Sequence, residues 1–133
     1  MAYRLCSLAI ISLLLLFAGC SIKGDDRPAN QGEAAKYLAD IPVPVGFKML
    51  STSYSSTSGN TRVGSFLLKG KEHPSFVQEF YRSAMPKLGW EIYSEESTPS
   101  GHESLMYMRK SGTVCVIKIT RKMRATNIEI QVR

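Results

Sequence analysis

The stretch from Pro74 to Leu88 constrains the fold most, because it is the one strong helical pattern in a chain otherwise patterned for strands. Phe76, Val77, Phe80, Tyr81, Ala84, Met85 and Leu88 recur at the spacing of one helical face. Ser75, with Gln78 three residues on, reads as an N-cap and capping box. Gly89 is the natural stop. Pro86 removes one backbone donor and biases Met85 away from helical geometry, so a distorted last turn is expected. One amphipathic helix must bury its face against something, and the flanking segments offer a sheet.

Two strands precede it. Lys48 to Ser56 is the first strand: Phe47 before it, Met49 and Ser51 alternate with Lys48 and Leu50, a pattern that leaves the inward face open. Thr57-Ser58-Gly59-Asn60 is a turn by composition. Arg62 to Lys71 is the second strand, with Val63, Phe66 and Leu68 as apolar content and Gly64 marking a bulge or close approach. The two form an antiparallel hairpin.

Four strands follow the helix. Trp90 to Glu96 alternates as a strand with one wet face. Ser97 to His102 is a loop holding Pro99 and Gly101. Glu103 to Lys110 alternates again, and Ser111-Gly112 is a tight hairpin turn. Thr113 to Thr120 carries a continuous apolar run that suits a central strand. After the basic turn Arg121-Lys122-Met123-Arg124, Thr126, Ile128, Ile130 and Val132 face one way in the last strand. The expected fold is α+β: two layers, an antiparallel sheet of about six strands, one amphipathic helix, in the order strand-strand-helix-four strands. This domain is expected over residues 41–133, opened by Ile41-Pro42-Val43-Pro44-Val45-Gly46-Phe47, which two prolines keep extended. Trp90 and Tyr81 read as core anchors.

The N-terminus is of another kind. Met1-Ala-Tyr-Arg4 leads into an apolar run from Leu5 to Ala18, then Gly19-Cys20. A cationic start, a short hydrophobic middle and a small residue before the cut describe a secretory signal peptide. The run is shorter than the roughly 20 apolar residues that a spanning helix needs. Ser21 to about Gly32 is polar and aperiodic, a tether that as free coil spans roughly 20 Å on average. Glu33 to Asp40 has good helix formers but is short for a helix alone. The expected organisation is a signal peptide over 1–19, a lipidated cysteine and tether with a short helix over 20–40, and the domain over 41–133.

Phe17-Ala18-Gly19-Cys20 resembles the lipobox of bacterial lipoproteins, with Phe17 standing where Leu is usual. The resemblance implies acylation of the Cys20 thiol, as in proteins carrying diacylglyceryl and palmitate groups, and cleavage between Gly19 and Cys20. It implies a lipid-anchored envelope protein. Ser21 follows the anchor, not the Asp that resembles an inner-membrane retention signal, so in a Gram-negative cell the outer membrane facing the periplasm is expected. The segment Phe80-Tyr81 through Gly89-Trp90, with the Ile41–Phe47 opening, is similar to small bacterial envelope domains without an assigned activity. That likeness implies a fold and carries no catalytic residue over.

Charge and cysteine content bound the function. Without residues 1–19 the chain keeps 114 residues, with 16 Lys or Arg against 11 Asp or Glu. Cys6 leaves with the signal, and acylated Cys20 leaves Cys115 without a disulfide partner. His73 and His102 lie in loops, no spacing suits a metal, and no Gly-x-Ser-x-Gly elbow is present. From Arg109 onward seven cations face one acid, Glu129. Arg121, Lys122 and Arg124 are therefore the candidate patch for anionic headgroups or an acidic envelope partner. Export removes nucleic acid as a partner. The expected function is non-catalytic binding or scaffolding in the envelope, without cofactor or metal. The alternative is a small periplasmic hydrolase or ligand-binding module using the His102 loop.

Overall fold

Alternating side chains build a single sheet with one buried and one half-exposed face. A computed structural model describes residues 38–56 and 62–133. The lipobox, the tether and the turn at 57–60 lie outside the described residues. The strands are β1 (Lys48–Ser56), β2 (Arg62–Gly70), β3 (Glu91–Ser97), β4 (Glu103–Lys110), β5 (Thr113–Lys122) and β6 (Ala125–Val132). The helix α1 (Pro74–Lys87) lies between β2 and β3. The sheet order is β1-β2-β6-β5-β4-β3, and all neighbours are antiparallel. The last four strands are therefore a meander, and α1 carries the chain from β2 across to the opposite edge.

The sheet has two ends. At the near end β3 and β5 begin, and Asp40 reaches Trp90 and Lys110. At the far end lie the β5–β6 turn, the β3–β4 loop and the start of α1. Residues 41–47 run lengthwise over the inner face between these ends. Ile41, Pro42, Val43 and Pro44 are buried, and an ideal Cβ on Gly70 would sit 2.7 Å from the Phe47 ring. Gly70 is thus required by close approach. Leu38 is fully buried in the same core, so described packing begins before Ile41.

Three features of α1 depart from the expectation. His73, not Ser75, is the N-cap, and its ring accepts the Ser75 N–H, because Pro74 occupies the first helical position. The buried stripe is narrow: Val77, Tyr81 and Met85 are sealed, whereas Phe76 is 55% and Leu88 38% exposed. The helix packs on β3, β4 and β5, so one row of its side chains is sealed and Phe80 packs at its margin. Pro86 is accommodated because the chain tightens there: the Leu88 N–H bonds to the Met85 carbonyl three residues back. The Trp90 N–H then reaches Met85 and the Gly89 N–H reaches Pro86, with Gly89 at φ +86°. That pair of bonds is a Schellman cap, and buried Trp90 and Met85 supply its apolar contact.

Strand alternation follows the sequence more closely. Met106, Met108, Cys115, Ile117, Ile119, Ile128 and Ile130 are all fully buried on the helix side. Bulges between Met49 and Ser51 and between Ile92 and Ser94 break the alternation at the two edge strands. They turn Leu50 and Tyr93 outward, to 57% and 49% exposure.

Candidate functional site

The basic turn divides into one structural arginine and an exposed tip. The Arg121 guanidinium donates from Nη1 to the carbonyls of Lys71 and Glu72, at 3.1 Å each, and to Thr126 Oγ1 at 3.0 Å. Buried Thr126 in turn donates to the Glu72 carbonyl. The Arg121 N–H bonds to the His102 carbonyl at 2.7 Å. Arg121 therefore bolts three far-end loops together, and half-burial removes it from the exposed patch expected from the sequence. Lys122 and Arg124 stay exposed. Between them Met123 is 99% exposed and sits at φ +54°.

The near end is a cleft of about 350 Å³ lined by Gly89, Glu91, Arg109, Lys110, Ser111 and their neighbours Gly112 to Val114. Ser111 and Gly112 both have positive φ, which the tight β4–β5 turn requires. Its charges are already paired. Arg109 grips Glu91 with two hydrogen bonds of 2.8 and 2.9 Å and lies 5.8 Å from the Tyr93 ring centroid. That fork holds the Glu91 carboxyl below its usual range. Lys110 donates to the Leu88 carbonyl at 2.7 Å and to Asp40 at 3.3 Å, beside the Trp90 ring.

The remaining candidates do not converge. His73 caps α1 and His102 lies exposed in the far-end loop, away from the cleft. The concave site and the His102 loop are thus at opposite ends of the sheet. Cys115 is a buried thiol next to Tyr81, and burial first, then Cys115, pushes the Tyr81 phenol well up. Tyr81 Oη and Ser104 Oγ are buried with no hydrogen-bond partner among the described residues. No group of His, Cys, Asp and Glu among the described residues is placed to hold a metal. Cys20 and Gly19 lie outside the described residues.

One ion cluster that sequence reading missed ties α1 to the edge strand β3. Arg82 contacts Glu95 at 2.7 Å and also bonds Glu79, while Gln78 donates to Glu95 at 3.3 Å. The β3 bulge is what turns Glu95 to the helix side. The Arg82 hydrogen bond, chiefly, holds the Glu95 carboxyl below its ordinary value of 4.5, and the half-exposed Arg82 limits the gain. A depressed folded-state value stabilises the fold above the unfolded value and loses that contribution as pH falls through the folded one. Glu95→Gln should therefore flatten the loss of stability below pH 4.5 relative to wild type. Denaturation midpoints measured across pH would check this, and parallel curves for the two proteins would refute it.

A family model described as START domain-like matches residues 49–128, which is 80 of the chain's 133 residues. The match runs from β1 into β6 and takes in α1, the bulged edge strands and both ends of the sheet. No curated protein matches the chain. No solved structure matches it either.

Proposed function

This chain belongs to the START domain-like family, and on that premise we propose that it is a lipid-anchored binding module of the bacterial envelope, acting by association and not by turnover. The family suggests a ligand-binding module. The N-terminal pattern ending in Gly19-Cys20 supports acylation of Cys20 and release of residues 1–19. The outer membrane facing the periplasm is its proposed place in a Gram-negative cell.

One observation carries the mode of binding. Tyr81, Met85, Met106, Met108, Cys115 and Ile117 are fully buried between helix and sheet, a close-packed interior. On this reading binding takes place at the surface, at the two ends of the sheet, where the cleft and the basic turn lie. The near-end cleft offers ion pairs already closed, and far-end Lys48, Lys69, Lys71, Lys122 and Arg124 are exposed and join no salt bridge among the described residues.

Acyl chains hold a protein through about 0.8 kcal/mol per buried methylene, whereas one surface charge adds only about 1 kcal/mol near an anionic bilayer. Washing membranes in about 1 M salt cuts the screening length to roughly 3 Å and removes electrostatic binding. The protein should stay with the membranes through such a wash. Its release into the soluble fraction, with Cys20 intact, would sink the anchor.

A further inference from the structure

Exposed cations outside the salt bridges of the described residues lie at both ends of the sheet, Lys87 and Arg133 at the near end, and gather at the far one. Near-end Arg109 and Lys110 are paired with Glu91 and Asp40. Far-end Lys48, Lys69, Lys71, Lys122 and Arg124 are exposed, and none joins a salt bridge among the described residues. Lys48 and Lys69 even stand directly opposite each other across β1 and β2. Like charges in that register destabilise a sheet, so folding alone gives no reason for them.

The same end exposes apolar side chains. Met123 projects almost wholly into solvent, and its φ of +54° belongs to a position where Gly or Asn would fit more easily. Val45 is 69% exposed where the 41–47 segment turns into β1. Leu50 on the β1 bulge and Phe76 in the first turn of α1 are also exposed. An end that exposes both cations and apolar side chains suits a lipid–water interface. There the cations meet headgroup phosphates and the apolar groups enter the acyl boundary. An acidic protein would satisfy the charges but leave Met123 without a reason.

We infer that the far end docks on an anionic phospholipid bilayer, with Lys122 and Arg124 on the headgroups and Met123 inserted between them. This surface lies opposite the end from which the described chain leads back toward Cys20. It does not depend on acylation, because nothing in it involves residues before Val45.

The test uses the full chain held by its N-terminal segment in neutral phosphatidylcholine nanodiscs, so that the only anionic surface is the one supplied. Vesicles with about 30% phosphatidylglycerol should be captured at low ionic strength and released as salt shortens the screening length. Lys122→Gln with Arg124→Gln should weaken capture about thirtyfold, at roughly fivefold per charge. Met123→Gly should weaken it several-fold while leaving thermal stability unchanged or raised, because glycine relieves the positive φ. A merely structural Met123 would not separate those two readouts. Equal capture of neutral vesicles, wild-type capture by either variant, or binding of polyglutamate without vesicles would overturn the inference. A chain whose Cys20 is unlipidated but which keeps the apolar run from Leu5 to Ala18 would be held in the nanodisc all the same, and the capture readout would be unchanged.

Discussion

Replacing Trp90 with alanine should destabilise the domain by about 3–5 kcal/mol, the cost of emptying a packed aromatic site. Trp90 is only 2% exposed and joins three parts of the fold. Its backbone N–H closes the Schellman cap on Met85. Its indole N–H donates to the Asp40 carbonyl at 2.9 Å, which pins the segment leading from Leu38. Its ring lies 5.8 Å from Lys110 Nζ, which itself binds Leu88 and Asp40. Alanine keeps the backbone cap but leaves a cavity and loses the Asp40 bond. Trp90→Phe separates the terms: most apolar volume stays, and the lost hydrogen bond should cost about 1 kcal/mol. Denaturant titration would read both, since midpoints shift with stability at a constant slope. Midpoints within a few tenths of a molar of wild type for Trp90→Ala would show that the ring is not a structural anchor.

Much of this clamp was legible in the sequence, and what was missed has physical causes. Gly89-Trp90 after an amphipathic run announced a helix stop followed by a strand. The regular alternation in β4, β5 and β6 announced their buried rows. The width of the helix face was not legible, because Phe76 and Leu88 obey the helical period yet lie beyond the strands that α1 covers. Pro74 was a visible sign that the cap lay one residue earlier, at His73, and the more familiar Ser75–Gln78 pattern obscured it. The inward face of β1 depends on a bulge at Leu50, and a bulge shifts register without a sequence marker. The basic turn was visible as a cluster. Its division into a bolted Arg121 and an exposed tip was not, because the Lys71 and Glu72 carbonyls lie about fifty residues away along the chain. The pairing of Lys48 with Lys69 likewise appears only once the hairpin register is set.

Cys20→Ser should abolish lipid labelling and leave the precursor uncut. Serine has no thiol to take the diacylglyceryl group, and in the family that the lipobox resembles acylation precedes cleavage. The effect is all-or-none, unlike that of any surface substitution in the domain. The variant should still reach the membrane, because Leu5 to Ala18 remains attached and apolar. The distinction therefore rests on chain length and lipid content, not on location alone. Normal processing of the serine variant, with release of a mature domain, would identify an ordinary signal peptide.

The anchored-module account is tested most directly by the intact mass of the protein extracted from membranes in detergent. The account predicts a chain that begins at Cys20, lacks residues 1–19 and carries the added mass of its acyl groups on that residue. A chain that retains residues 1–19, begins at another residue, or shows the unmodified mass of residues 20–133 would contradict it.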